Sequence, residues 1–302
     1  MSPLTSFYDT WLVARFELLR NLRTWRAIAL CTLYTVATTG GAYIFTRILL
    51  AFENTAAGAL GVPTTKKPGT MTKEIVDNPE MQAMFREMLP SSDLVDYVMS
   101  WPLLTTYHLW FALAFIPFLA ASTAGECVAT DRGTGAIRFE CLRTGRVEVV
   151  AGRFIGQAFL MAVAALLAVA GTWCVGMLAM VGNNPVTLLF SLILVTPRVV
   201  VCTLPFLAIG VAFSQVTTSP NLARVLAIGT VMGTWIVGGI ATIFKGGDWW
   251  MIWSFVELVL PQQWMGQLWS PLPDMLPGMM VLLLLSVGYA SLGFVFFGRA
   301  DL

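Results

Sequence analysis

Few side chains in this sequence are of types that do chemistry, and their spacing excludes most catalytic centres. His108 is the only histidine, and neither H-E-x-x-H nor G-x-S-x-G occurs, so metalloprotease and serine-nucleophile sites are not expected. No G-x-x-x-x-G-K-[ST] is present, so the chain has no P-loop for ATP. Cys31, Cys174 and Cys202 lie inside apolar runs, Cys127 and Cys141 flank a short charged segment, and no C-x-x-C occurs. With one histidine to join them they make no metal-ligand set, and they read as buried or reduced thiols. The expectation is no enzyme, no metal and no cofactor held by this chain itself.

Two kinds of charged residue are left. Arg198 stands midway along an apolar run beside Pro197. A cation at such a depth either meets an anionic substrate group in a polar cavity or is a structural pair. No apolar run carries an acid at its middle, which counts against a proton-driven carrier. The second kind is the segment 121–157, where acids and arginines are interspersed: Glu126, Asp131, Arg132, Arg138, Glu140, Arg143, Arg146 and Glu148. Such a surface suits docking of another protein, although a solvated loop whose arginines only set topology has the same composition.

The elements that must position these residues follow from composition. Of 302 residues, 57% are hydrophobic and only 12% charged, about half the charge that a soluble surface needs. The net charge of +1 suggests no nucleic-acid partner. Apolar runs long enough for a spanning helix, about 20 residues, fall at 27–50, 104–124, 154–181, 186–213, 222–244 and 275–298. Lipid cannot satisfy open backbone groups, so the runs are expected to be helices. Gly182-Asn183-Asn184-Pro185 should turn the third tightly into the fourth.

Arginines sort to one side: Arg15, Arg20, Arg23 and Arg26 before the first run, Arg132 to Arg153 after the second, then Arg224 and Arg299. That side, with both termini, is expected to be cytoplasmic. The external loop 51–103 carries seven acids, and its stretch 72–89 could form an amphipathic helix. The insert 245–274, rich in Trp and Pro, should form short helices at the outer interface rather than a seventh span. Residues 1–26 should form an interfacial helix with Leu4, Phe7, Trp11, Leu18, Leu22 and Trp25 on one arc and Asp9, Glu17, Arg20, Asn21 and Arg23 opposite. With two acids, Asp9 and Glu17, and four arginines ahead of the first apolar run, that segment does not read as a cleavable signal. Gly229 and Gly233 form a G-x-x-x-G for close helix contact, within the chain or across a dimer.

Glu126 after the second run, Arg132-Gly133-Thr134, a short helix, the turn Thr144-Gly145-Arg146 and Val150-Ala151-Gly152-Arg153 opening the next run resemble the permeases of type-2 ATP-binding-cassette exporters (ABC-2). The resemblance extends over nearly the whole chain, from Glu17-Leu18-Leu19-Arg20 to Gly298-Arg299-Ala300-Asp301-Leu302. It departs in having Gly145 where the family has a proline, and Ala129-Thr130 before Asp131. It implies an all-α integral membrane protein: an elbow helix, 1–26, and a six-span membrane domain, 27–302. It also implies a coupling segment within 125–153, at Glu126, Asp131, Arg132, Gly133, Thr134, Arg138, Glu140, Arg143 and Arg146, that docks on a separate ATPase. The short loop 214–221 would be a minor contact. That partner would bind the ATP and magnesium, and two such chains would pair as a homodimer in the cell membrane.

The function expected on these grounds is export of an amphiphilic, lipid-linked or peptide substrate, because few charges line the runs. The alternative is a membrane anchor that transmits ATPase motion to extracytoplasmic proteins through 51–103.

Overall fold

The computed structural model describes residues 3–60, 65–69, 92–182, 184–244 and 250–299, with no strand among them. In chain order the helices are α1 (Pro3–Arg23), α2 (Trp25–Leu60), α3 (Ser92–Met99), α4 (Leu103–Ala124), α5 (Ala129–Thr134), α6 (Ile137–Thr144), α7 (Arg146–Ala179), α8 (Pro185–Val216), α9 (Pro220–Phe244), α10 (Trp250–Val259), α11 (Pro261–Met265) and α12 (Leu272–Arg299), with a 3-10 turn at Gly266–Trp269. Six are long and apolar enough to cross a membrane: α2, α4, α7, α8, α9 and α12. The stretch 72–89 lies outside the described residues.

Several helices outrun the apolar segments that announce them. The 36 residues of α2 make a rod of about 54 Å, well over the ~30 Å of a hydrocarbon core. It therefore takes the first ten residues of the expected external loop into the helix. Likewise α7 starts at Arg146, so the end of the expected coupling loop is the first turns of a spanning helix. The turn between α7 and α8 forms as expected: Gly182 has φ +82°, and the Asn184 side chain accepts hydrogen bonds from the amides of Val186 and Thr187 at 2.9 and 3.3 Å. The insert after α9 is the short helices α10 and α11 and the 3-10 turn, with no seventh span among the described residues.

Burial ranks the helices. Two thirds of the apolar stretch of α4 and of α8 is inside the bundle, against 22% for α2, α9 and α12. The central pair packs through small residues, Ala112, Ala120, Ala121 and Ala124 on α4 being almost fully buried. Association within lipid gains no hydrophobic effect, so close backbone approach is what such side chains provide.

The first helix packs with the opposite polarity to a helix on a soluble core. Phe7, Tyr8, Trp11, Leu12, Leu19 and Leu22 are all at least 42% exposed, as is Trp25 at the start of α2, while Ala14 and Glu17 are 1% exposed. Among the described side chains of the expected arc, only Leu18 tucks against the core. Its small and polar face tracks the first turns of α7 in the same direction: Ser6 donates to Glu148, Val13 meets Gly152, and Ala14 and Glu17 meet Gly156. An apolar face turned away from the protein is what a lipid-facing helix requires. The break before α2 falls at Thr24, whose hydroxyl and amide both reach the Asn21 carbonyl.

The close crossing is thus at Gly152 and Gly156. A Cβ at Gly156 would stand 2.8 Å from the Ala14 carbonyl oxygen, whereas Gly229 and Gly233, the pair expected to pack, have nothing within 4 Å inside this chain. Gly156→Ala is expected to lower the unfolding temperature in detergent, at an overpacking cost of about 1–3 kcal/mol. Gly229→Ala and Gly233→Ala should leave the monomer's melting curve unchanged.

Candidate functional site

At the arginine-rich end of the bundle, α5 and α6 connect α4 to α7, and a buried guanidinium holds the connection. Arg153, on the second turn of α7, is 1% exposed. It donates to Asp131 Oδ2 at 2.6 Å, to Glu140 Oε2 and to the Cys127 carbonyl oxygen. Asp131 also receives Arg20 of α1 at 2.7 Å, and Arg20 donates in turn to Glu17 at 2.7 Å. Glu17 accepts from Gln157 at 3.0 Å and from Asn21 at 3.2 Å. A charge taken out of water is tolerated only with such complete pairing. Together these contacts tie α1, α5, α6 and α7 to one another.

A second tie binds the connection to the α8–α9 turn. Glu126 pairs with Arg224 at the start of α9 and, at 3.5 Å, with Arg26. Ser214 of α8 accepts from the amides of Val128 and Ala129 at 2.7 and 2.8 Å, supplying the first turn of α5 with the cap that its own sequence lacks. Arg132 donates to the Gln215 carbonyl, and Gly133 lies against the Thr218 carbonyl so closely that a Cβ would sit 2.6 Å from it. Arg146 reaches the other way, to the carbonyls of Phe297 and Gly298 at the end of α12, at 3.1 and 2.6 Å. Thr134 bonds only within its own turn.

The expected docking residues therefore divide. Glu126, Asp131, Arg132, Glu140 and Arg146 point into the protein and fasten it, instead of forming one outward ionic face. Arg138 and Arg143 remain exposed on α6. Between them project Phe139 and Leu142, 73% and 84% exposed, while Ile137 is buried against the core. Gly135 (φ +77°) and Gly145 (φ +87°) bound the helix, and their left-handed backbones let α6 stand off as a separate ledge. Sequence reasoning missed Phe139 and Leu142, whose signal was an apolar pair at i, i+3 opposite Ile137. It also missed Arg153 as a hub and Glu17 as a buried acid.

At the opposite end, Arg198 is 5% exposed and fully engaged in structure. It donates to the Leu268 carbonyl at 2.8 Å and the Tyr97 hydroxyl at 2.9 Å, with its guanidinium 4.9 Å from the Trp101 ring centroid. Of the two roles open to Arg198 from the sequence, substrate contact or structural partner, these contacts describe the second: a clamp that fastens α3 and the 3-10 turn onto α8. His108 is likewise internal, its Nδ1 3.0 Å from Thr172 Oγ1 between α4 and α7. Among the described residues no group of His, Cys, Asp and Glu could hold a metal ion.

Six apolar spans, a helical ledge carried at one end of the bundle and an apolar-out first helix define a multi-pass membrane protein of the permease class. The sequence matches the family described as ABC-2 family transporter protein over residues 11–302, and the chain belongs to that family. It is thus a membrane permease component of an ATP-binding-cassette transporter, a subunit type that works with a partner ATPase and within lipid. A search of curated proteins finds no match.

Two outcomes follow for the hub. Arg153→Met removes the counter-charge of two carboxylates and should cost about 3–5 kcal/mol of unfolding free energy. Combined with Asp131→Asn, the loss should fall short of the sum of the single losses. Burial alone would raise the Asp131 pKa, but Arg153 and Arg20 outweigh it and hold the carboxyl below its ordinary value. A depressed folded-state pKa stabilises above the unfolded value of about 4, and the contribution is lost as pH falls through the lower folded value. Thermal melts of the native chain should depend on pH most steeply from about pH 4 down to the lower folded value, and those of Asp131→Asn should be flatter in that interval.

Proposed function

We propose that the arginine-rich end is cytoplasmic and that α6 is the ledge on which a separately encoded ATPase subunit docks. The sidedness rests on the bias of arginine, with both termini on the cytoplasmic side of the cell membrane. The observation that carries the reading is the exposed face of α6. Phe139 and Leu142, flanked by Arg138 and Arg143, stand free in water, while the inward face of the same helix is pinned to α7 through Glu140 and Arg153. Exposed apolar anchors on a rigid support are where a protein interface concentrates its binding energy. Glu126, Asp131, Arg132, Gly133, Glu140 and Arg146 then position the ledge rather than touch the partner, while Thr134, exposed and bonded within its own turn, does neither.

In this reading the partner binds ATP and magnesium, and its closure displaces α6. The hub passes that displacement to α7 and α1. Two copies of the chain pair, and the path for an exported amphiphilic, lipid-linked or peptide substrate runs between them.

A second reading keeps the ATPase but passes motion outward to extracytoplasmic proteins through 51–103. One observation favours it: the base of that segment is held to the end of the bundle. Glu53 accepts from the Gly69 amide at 3.0 Å, and Val181 donates to the Pro68 carbonyl at 2.9 Å.

The test is a pull-down of the native chain from gently solubilised membranes, beside Phe139→Asp/Leu142→Asp and Arg138→Glu/Arg143→Glu. Arg132 stays untouched because it fastens α5. An ATPase subunit should come down with the native chain and be lost from the apolar variant, with gel-filtration profiles unchanged. Absence of any ATPase from the native sample would sink both readings.

A further inference from the structure

Where α1 passes the α6 ledge, a groove of about 530 Å³ runs between them, with Arg153 of α7 in its floor. Asp9, Leu12 and Phe16 line it from α1, and Glu140 and Arg143 line it from α6. The two walls differ in kind. Leu12 and Phe16 are exposed and, one turn apart, continue the apolar face that α1 turns away from the protein. The α6 wall is charged. Two lateral grooves along α12 have no charged residue in their linings.

The charges of the groove fall into two sets. Those of the floor are spent, Glu17 on Arg20, Gln157 and Asn21, and Arg153 on Asp131 and Glu140. Those of the walls are available. Glu140 gives Oε2 to Arg153 and keeps Oε1. Asp9 and Arg143 stand on opposite walls, and neither has an ion pair or hydrogen bond among the described residues. A simple anion at Arg143 would face two carboxylates across the groove, and a simple cation between those carboxylates would face Arg143. A zwitterion meets both signs with their opposites.

We infer that this groove binds a phospholipid whose headgroup carries a primary amine. Asp9 and Glu140 hold the ammonium, Arg143 holds the phosphate, and an acyl chain lies along Leu12 and Phe16. An acyl chain gains no hydrophobic free energy in leaving bulk lipid for a protein wall, so residence is decided at the headgroup. A primary ammonium has three N–H donors and bonds both carboxylates at once. The trimethylated nitrogen of choline has no donor, and a glycerol headgroup brings no cation. Occupancy needs neither ATPase nor transport, so this inference and the docking reading fail independently. Arg143 is common to the two, whereas Asp9 belongs to the groove alone.

The experiment reconstitutes the purified chain in phosphatidylcholine vesicles with a trace of diazirine-tagged lipid, the tag on one acyl chain, and maps labelled peptides. Phosphatidylethanolamine, phosphatidylcholine and phosphatidylglycerol are compared as the tagged lipid. Labelling should concentrate in 9–16 and 140–144 and be about tenfold higher with phosphatidylethanolamine than with phosphatidylcholine, the factor that one charge-assisted hydrogen bond supplies. Asp9→Asn should remove most of that preference. Arg143→Gln should weaken labelling by both lipids while keeping their ratio. Neither side chain is bonded within the protein, so both variants should keep the native melting curve. Equal labelling by the three lipids, a preference for phosphatidylglycerol, or labelling of α1 without 140–144 would each overturn the inference. So would capture of another protein chain, in native membranes, by a photoreactive residue placed at Leu12.

Discussion

A guanidinium that cannot reach water governs one whole end of this protein. Arg153 sits where a spanning helix leaves the bundle, and every group that satisfies it comes from a different piece of chain: Asp131 from α5, Glu140 from α6, a carbonyl from the turn after α4. Removing any one of them leaves charge stranded in a medium that solvates it poorly. The consequence is mechanical. Because Asp131 is shared with Arg20, α1 is fastened to the same hub, and one set of ion pairs joins four helices.

The other buried arginine shows a contrasting solution. Among the described residues Arg198 meets no carboxylate, only a carbonyl, a phenol and two aromatic faces. These partners are neutral, so the clamp adds no counter-charge and keeps the positive charge within the bundle. The partners are also peripheral pieces, a short helix before α4 and the 3-10 turn before α12, so Arg198 organises the outer cover as Arg153 organises the inner ledge. Both stand on long helices that start or pass through apolar core. Each is the means by which short segments, too small to fold alone, acquire fixed positions.

The spans were legible because lipid imposes a rule that a single sequence displays openly: long apolar runs bounded by arginine or by turn residues. The hairpin at 182–185 and the short helices after α9 followed from equally local signals. The site was legible only in part. Eight charges of both signs are interspersed between 126 and 148, and nothing in that pattern separates Arg138, which faces water, from Arg132, which binds a carbonyl 83 positions later. The partition depends on α8 and α1, which arrive from elsewhere in the chain. The glycine pairs make the same point. Gly152-x-x-x-Gly156 and Gly229-x-x-x-Gly233 have identical spacing, and only the first faces a neighbour within the chain. Arg153 and Gln157 beside the first pair were the available hint, since a span flanked by buried polar groups must have protein there to meet them.

The first helix closes on residues that lie far behind it. Its ties reach Asp131, Glu148 and Gln157, up to 142 positions downstream. At ribosomal rates of about 5–20 residues per second, it must wait roughly 7–30 s for them after it has itself been made. Throughout that interval Glu17 and Arg20 have only each other, Asn21 and water, while the aromatic face opposite already suits the bilayer surface. The membrane thus acts as the helix's first holder, keeping it out of aggregation until α7 is inserted beside it. Assembly of this end of the protein is in that sense a handover from lipid to chain, and the polar face of α1 is what completes it.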